Sequence, residues 1–336
     1  MTEKKSVLSK KGVLCIFYIL AVAMMAVIVL HHNPLADQQE ELIKKLLSCA
    51  VILCGCFVFT RFYDKITTLP VELWENRHLI WKLARNDFKK RYAGSYLGAI
   101  WALAQPVVTV LMYYFVFDII FGSKGPELRE GITVPYVLFL TAGLVPWFYF
   151  SEALNHGTMA LIEYTYLVKK VVFKISIIPI IKVIGATFIH AFFVGVLLIV
   201  SICYGYYPTA YTLQVFYYSA CLFVLVLALT YSTCAIMVFF RDLAQIISIG
   251  LQIGMWATPI LWNLDDLVNK YGSVVNLLKL NPLVYIVQGY RDAIYGQQWF
   301  WQDFYSTMYF WIVTVVLFGV GALVFKRLKT HFSDVL

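Results

Sequence analysis

The sequence predicts an all-α polytopic membrane protein, from its composition, its hydropathy and the spacing of its apolar stretches. Hydrophobic residues make up 61% of the 336 residues and charged residues only 14%, with a mean hydropathy of +0.76. Water-soluble domains are about half apolar and about a quarter charged. A bilayer is crossed by about 20 apolar residues, and such stretches recur. We predict eight spans, at 13–30, 44–60, 93–117, 132–151, 183–203, 212–240, 243–264 and 304–325.

The distribution of basic residues predicts the orientation. With eight spans, the segments on one side of the membrane are 1–12, 61–92, 152–182, 241–242 and 326–336. They hold 4, 8, 4, 1 and 3 lysine or arginine residues respectively, which is 20 of the 27 in the chain. Cytoplasmic loops carry the excess of positive charge, so both termini are expected in the cytoplasm. The net charge of +8 is then a topology signal, and no nucleic-acid partner is expected.

The spacing of the spans predicts three parts: a transmembrane hairpin at 1–65, a cytoplasmic interface helix within 66–92, and a six-span domain at 93–336. On a helical wheel, the stretch 73–92 has an apolar face bordered by a basic stripe. The two sets are Leu73, Ile80, Trp81, Ala84 and Phe88, and His78, Lys82, Arg85 and Lys89. Such a helix suits the headgroup layer of a membrane. A soluble amphipathic helix packed on a partner is the alternative.

The segment before the last span, 265–303, has its own pattern. It contains LNPLVYIVQGYRDAIYG, whose apolar part is too short to cross and whose Asn-Pro pair breaks a helix. A re-entrant or surface-lying helical pair is expected here, packed on protein or lining a water-filled cavity.

The predicted spans contain essentially no ionisable residue except His190, which we interpret as a histidine hydrogen-bonded between helices rather than a proton relay. The chain has no phosphate-binding loop, no hydrolase motif and no metal-ligand spacing of its seven cysteines. We therefore predict no catalytic residue and no metal site. An intramembrane glycosyltransferase would need acidic or arginine residues at its reaction centre. The cleft that we expect between the spans has none. Energy for uphill transport is expected from another polypeptide.

Two predicted spans carry stripes of aromatic and polar side chains at helical spacing. These are Trp101, Gln105, Thr109 and Met112, and Gln245, Ser248, Gln252 and Trp256. Amides in lipid are costly unless paired, so the stripes face other helices or a hydrated channel. Aromatic rings with amides suit sugars, whose CH faces stack while their hydroxyls bond. Helix packing with interfacial aromatic belts is the alternative.

The stretch RNDFKKRYAGSYLGAIWALAQP, residues 85–106, resembles the start of the membrane subunit of polysaccharide-exporting ABC transporters, the type 2 ABC permeases of O-antigen, capsule and teichoic acid systems. The matching residues are Asp87, Lys89, Arg91, Tyr92, Ser95, Leu97, Gly98, Trp101 and Pro106. Further elements match in order: Gly143, Pro146 and Trp147; Lys169, Lys170, Phe173, Ile178 and Pro179; Phe240, Arg241 and Asp242; Asn281, Pro282, Tyr290 and Arg291. The resemblance covers roughly 72–336.

The resemblance implies a six-helix type 2 ABC permease core with an amphipathic interface helix and external re-entrant gate helices. A homodimer of this chain would form the pore. Two copies of a separate ATP-binding subunit would lie beneath the pore and bind ATP and Mg. This chain itself would hold no cofactor. The substrate would be a polyprenyl-diphosphate-linked polysaccharide, exported across the bacterial cytoplasmic membrane. The chain would also contact membrane lipids. The hairpin at 1–65 is an addition to the usual six spans. A type 2 permease that exports a drug or lipid is the alternative.

The resemblance and the stripes together assign candidate roles. Substrate-channel candidates are Trp101, Gln105, Thr109, Met112, Trp147, Tyr149, Gln252 and Trp256. Candidates for attracting the lipid diphosphate are His78, Lys82, Arg85, Lys89 and Arg91. Residues 155–170 would form a coupling helix, and the ATPase-coupling candidates are Glu163, Tyr164, Lys169, Arg241 and Asp242. External-gate candidates are Asn281, Pro282, Tyr290 and Arg291.

Overall fold

The structure is a computed structural model that describes residues 10–30, 38–61, 63–91, 98, 100–122, 125–127, 133–169, 174–264, 275 and 277–336. Across these residues the regular elements are helices, and one isolated antiparallel bridge joins Glu127 to Thr133. The chain divides into two compact units, one ending at Val71 and the other beginning at Glu72.

The first unit contains the predicted hairpin. Helices α1 (Lys10–Leu30) and α2 (Gln38–Arg61) pack against each other, and α3 (Tyr63–Glu75) follows. Phe17 stacks on Phe59 with ring centroids 4.2 Å apart. Only 11% of the most apolar stretch of α1 is buried within the protein. The rest of its surface is apolar and suits contact with lipid.

The second unit holds the other helices. They are α4 (Arg77–Arg91), α5 (Ile100–Tyr113) with a π-helical extension (Tyr114–Ile120), α6 (Tyr136–Glu163), α7 (Thr165–Val168), α8 (Ile178–Cys203), α9 (Gln214–Met237), α10 (Leu243–Ala257), α11 (Pro282–Arg291) with a π-helical turn (Asp292–Gly296), α12 (Phe304–Leu328) and α13 (Phe332–Val335).

Within the described residues, six helical stretches are long and apolar enough to cross a membrane, which confirms an all-α polytopic membrane protein. They are Lys11–Leu30, Leu103–Ile120, Tyr136–Glu163, Ile175–Cys203, Ala210–Met237 and Phe304–His331. The predicted spans 44–60 and 243–264 correspond to shorter apolar helices, Ser48–Arg61 and α10. Helix α10 ends at Ala257 because Thr258 is extended, as the residue before a proline prefers.

Helix α6 is the centre of the second unit. Its most apolar stretch is 78% buried, and the helix packs against α8, α9, α10 and α11. By contrast, none of the window Leu103–Ile120, which contains most of α5, is buried. The core therefore forms around α6, and α5 lies at the edge of this unit.

The predicted interface helix 73–92 is shorter in the structure. It begins at Arg77 as α4, and Leu73 belongs to α3, because the chain turns at Asn76. The Asn76 side chain donates to the carbonyl of Glu72 at 2.6 Å, a local bond with which asparagine competes against helix continuation. Of the predicted apolar face, Ile80 and Ala84 are buried.

The predicted coupling helix 155–170 is not one separate helix. Residues 155–163 are the last turns of α6, and only Thr165–Val168 form the short helix α7. Tyr164 separates the two with non-helical backbone angles. Lys170 and Phe173 of the family-like return lie outside the described residues, as do Tyr92, Ser95 and Leu97.

The expectation that the spans contain essentially no ionisable residue besides His190 is wrong. Membrane-length helices carry Asp118, Glu152, His156 and Lys182. Hydropathy marks only the apolar part of a helix, and α6 continues beyond 151 because its polar end packs against other helices. Polar groups within a membrane helix are tolerated where they face protein and are paired.

Helix α11 lies close against α9 at Gly289. A Cβ atom at this position would overlap the ring of Tyr218. Gly195 of α8 is a matched helical glycine with open space, because no atom lies within 4 Å of its would-be Cβ.

We expect Gly289→Ala to lower the thermal midpoint of the detergent-purified protein or its folded yield, since overpacking costs about 1–3 kcal/mol. Gly195→Ala should leave the midpoint unchanged or raise it slightly, because alanine is the better helix former. Thermal unfolding monitored by size-exclusion chromatography measures both variants. Equal midpoints for the two would contradict the close approach.

Candidate functional site

A cavity of about 320 Å³ lies between α5, α6 and α8. Its walls mix aromatic rings with hydroxyl, amide, carboxylate and imidazole groups. The lining residues are Trp101, Gln105, Pro106, Thr109, Val145, Phe148, Tyr149, Ser151, Glu152, Asn155, His156, Ile189, His190 and Phe193. Ligand sites in proteins have volumes of about 300–1,000 Å³, so the cavity is a candidate binding site.

Four of the predicted channel residues line this cavity. Trp101, Gln105 and Thr109 come from α5 and Tyr149 from α6. The α5 residues are spaced four apart, which places them on one helix face. The predicted stripe on this helix is therefore brought together with α6 by the fold.

The other four predicted channel residues lie elsewhere. Trp147 is 5% exposed and packs beside Phe150 and Gly254, because a two-residue step from Tyr149 turns a helix by about 200°. Met112, Gln252 and Trp256 are exposed on the surface of the second unit. Their interpretation as channel residues remains a prediction.

Sequence reasoning missed the polar part of α6 in this cavity, namely Ser151, Glu152, Asn155 and His156. A signal was present, because these residues recur at spacings of one, three and four in the stretch SEALNHG. The predicted span ended at residue 151, which placed the stretch outside the membrane. The expectation of a cleft without acidic residues is therefore wrong at Glu152.

His190 lies on one wall of the cavity and confirms the interpretation as a packed histidine. Its Nε2 lies 2.9 Å from the Tyr290 hydroxyl and 3.1 Å from Ser219 Oγ. The ring lies 4.6 Å from that of Tyr149, measured between centroids. The Tyr149 hydroxyl in turn lies 3.0 Å from Thr187 Oγ1. These bonds fix the aromatic wall.

The predicted gate residues anchor α11. Asn281 caps the helix by accepting from the Leu283 amide at 3.1 Å, and Pro282 occupies its first turn. Tyr290 and Arg291 are 0% and 1% exposed. The structure thus places both ends of α11 in fixed contacts, and a gating role remains a prediction.

The buried Arg291 is held from two sides. One guanidinium nitrogen, Nη2, donates to the carbonyl of Ile260 at 3.0 Å. The guanidinium carbon lies 3.6 Å from the centroid of the Phe139 ring, a cation–π contact. Gly143 leaves room for this arrangement, because a Cβ there would lie 3.3 Å from Arg291 Nη2.

At the other end of the cavity, Glu152 belongs to an ion-pair network of α4, α6 and α8. Its Oε1 accepts from Arg91 Nη1 at 2.9 Å. Arg91 Nη2 lies 3.6 Å from Asp87 Oδ2. Lys182 Nζ lies 2.7 Å from Asp87 Oδ1 and 2.6 Å from Glu163 Oε2. We call these five residues the ion-pair network.

Tyr164 completes the surroundings of Asp87. Its hydroxyl donates to Asp87 Oδ1, and the Lys182 ammonium lies 5.0 Å from the centroid of its ring. Burial, and then the hydrogen bond to Asp87 and the charge of that carboxylate, raise the pKa of Tyr164. The phenol therefore stays neutral and remains a donor to Asp87.

Four of the five candidates for attracting the lipid diphosphate are exposed. His78, Lys82, Arg85 and Lys89 recur at intervals of four and three along α4, so they share one face. Arg91, the fifth candidate for attracting the lipid diphosphate, instead pairs with Asp87 and Glu152 in the ion-pair network.

Four of the predicted ATPase-coupling residues are also exposed, Glu163, Lys169, Arg241 and Asp242. Glu163 also pairs with Lys182, and the half-buried Tyr164 donates to Asp87. Their coupling role remains a prediction.

Comparison with known proteins places this chain in a family. The profile of the ABC-2 type transporter family matches residues 78–295. The chain is 28% identical over 263 residues to the O-antigen export system permease protein RfbA of Myxococcus xanthus, covering 78% of this chain and 97% of that protein. It is 26% identical over 257 residues to the RfbA protein of Klebsiella pneumoniae, covering 76% and 93% respectively. The chain belongs to the ABC-2 type transporter family, as a multi-pass membrane protein.

Proposed function

We propose that this chain is the membrane subunit of an ATP-driven exporter of a cell-envelope polysaccharide carried on a polyprenyl diphosphate. The observation that carries the proposal is the cavity lined by aromatic rings, amides and hydroxyls in a chain of the ABC-2 transporter family. The printed names of the two relatives, both O-antigen export permeases, support the same class of substrate.

The lining groups match the chemistry of a sugar. The rings of Trp101, Phe148 and Tyr149 offer faces for pyranose CH groups, while Gln105 and Asn155 offer amides to hydroxyls. Stacking tolerates variation among repeat units, so a polymer can slide past these rings. Such a path needs no catalytic residue in this chain.

A second copy of the chain would complete the path. The unburied window of α5 and the exposed face of α10 with Gln252 and Trp256 both carry polar groups. Such groups are costly against lipid, which supports placing these helices against the partner copy in a homodimer.

Energy would come from two copies of an ATP-binding subunit, which hold ATP and Mg. The coupling contact would be formed by the exposed turn at Arg241 and Asp242 and by the end of α6 with α7, which includes Glu163, Tyr164 and Lys169. The excess of basic residues near these segments supports a cytoplasmic position for them and for both termini, in the bacterial cytoplasmic membrane.

The first test purifies the chain with its ATP-binding subunit in lipid vesicles and measures ATP hydrolysis against added polyprenyl-linked glycan, drugs and unrelated lipids. Stimulation by the glycan is expected. Stimulation by drugs or lipids alone would favour a drug or lipid exporter of the same family.

Arg241→Glu should reduce co-purification of the ATP-binding subunit with this chain. Lys279→Glu, which reverses an exposed charge in the segment predicted to be external, should not.

The exposed face of α4 would attract the lipid diphosphate. Each basic residue near an anionic surface contributes about 1 kcal/mol, so loss of two lowers recruitment roughly 30-fold. We expect Arg85→Glu with Lys89→Glu to lower surface polysaccharide at unchanged complex yield. The control reverses Lys326 and Arg327, two exposed basic residues at the end of α12. An equal loss in both double variants would indicate a general charge effect instead.

The cavity wall predicts slower translocation when its rings and amides are removed. An aromatic contact contributes about 0.5–1.5 kcal/mol, so Trp101→Ala should slow export about 2- to 13-fold, and Gln105→Leu should also slow it. Trp301→Ala, which removes an exposed ring that is not part of the cavity lining, is the control. Pulse labelling of surface polysaccharide measures the rate, and normal rates in both cavity variants would assign the residues to packing.

A further inference from the structure

We propose that Lys182 is a positioning residue that joins the ATPase-coupling end of α6 to the wall of the cavity through α4. The inference rests on the proposed function, because it concerns how ATP hydrolysis is coupled to export. It assigns this role to the ammonium group of Lys182 and to its two carboxylate partners, Asp87 and Glu163.

The contacts of the ion-pair network form a closed circuit across three helices. From Glu163 at the end of α6, the path runs through Lys182 of α8 at 2.6 Å and on to Asp87 of α4 at 2.7 Å. It continues to Arg91 at 3.6 Å and returns to α6 at Glu152 at 2.9 Å. The two α6 residues are about three helical turns apart.

The two ends of this circuit face different surroundings. The Glu163 side chain is 43% exposed, beside the segment that we assign to the ATP-binding subunit. Glu152 lines the cavity. A displacement at Glu163 thus reaches the cavity wall through ion pairs rather than only along α6.

Lys182 is placed where the backbone does not favour it. It is 4% exposed and occupies the second turn of α8, near the positive end of the helix dipole, which disfavours a cation. Burial of an unpaired ammonium would be costly. The two carboxylates compensate this cost, and an ammonium with three donors is suited to bridge both.

The buried ammonium of Lys182 cannot separate from its two carboxylate partners without a cost in free energy. Removal of one partner from a buried ion pair leaves an uncompensated charge, so movement that separates Lys182 from either carboxylate is opposed. Helix α4 is also fixed to α8 by the rings of Trp81 and Phe88, whose centroids lie 5.4 and 5.5 Å from that of Phe188. The end of α6, α4 and the start of α8 therefore move together.

The test compares Lys182→Met, Lys182→Arg and the control Lys174→Met. Lys174 is an exposed lysine paired with Glu75 at 3.8 Å, outside the network. Each variant replaces the native chain in cells of the source organism. Surface polysaccharide is measured in the cells, and MgATP hydrolysis is measured with the complex purified from them into lipid vesicles. The readout is polysaccharide exported per ATP hydrolysed.

We expect Lys182→Met to lower this ratio about tenfold, within the range found for residues that carry coupling between sites. Lys182→Arg should restore most of it, and Lys174→Met should not change it. A residue with a merely structural role would lower complex yield, export and hydrolysis together and leave the ratio unchanged.

A double-variant cycle tests the connection itself. If Lys182 and Glu163 act in series, Glu163→Gln should lower the ratio in the native background and cause no further loss in Lys182→Met. Independent, additive losses would overturn the circuit. Should Lys182→Met fail to assemble, Asp87→Asn with Lys182→Met removes both charges of the central pair and is measured in its place, with the same expected loss.

A ratio within about twofold of the native value in an assembled Lys182→Met complex would overturn the inference, since coupling residues change it by more. Failure of the proposed function is distinguishable. Cells without the chain would then export as much polysaccharide as cells with the native chain.

Discussion

The contact of the Lys182 ammonium with the carboxylates of Asp87 and Glu163 is the constraint on which the site depends. Three helices that are far apart in sequence meet at one buried cation. Buried ion pairs add little net stability, because desolvation offsets their attraction, but loss of one partner is costly. Their effect here is to specify an arrangement: α4 is held beside α6 and α8, and Arg91 is directed to Glu152 at the cavity.

A second set of bonds organises the opposite end of the cavity. His190, Ser219 and Tyr290 contact one another across α8, α9 and α11, while Arg291 joins α11 to the backbone after α10. Paired in this way, polar groups are tolerated inside membrane helices. The cavity therefore lies between two fixed polar clusters, with the loosely packed α5 as its remaining wall.

Family and geometry account for different parts of the chain. The ABC-2 profile begins at residue 78, one residue after the start of α4, and ends at residue 295. The first compact unit, which ends at Val71, lies outside that match. Its packed helices α1 and α2 are therefore outside the residues that the profile matches, whereas the cavity and the ion-pair network lie within them.

The sequence by itself determined the membrane class, the positions of most spans, the basic face of α4 and the α5 stripe that lines the cavity. Hydropathy and helical periodicity are local properties, and they suffice for these features. Only the tertiary structure decided that α6 continues to Glu163, that Trp147 faces away from the cavity, and that Lys182 bridges Asp87 and Glu163. A charge within a membrane helix is tolerated according to its partners, and those partners, 95 and 19 residues away in sequence, become neighbours only when the helices pack.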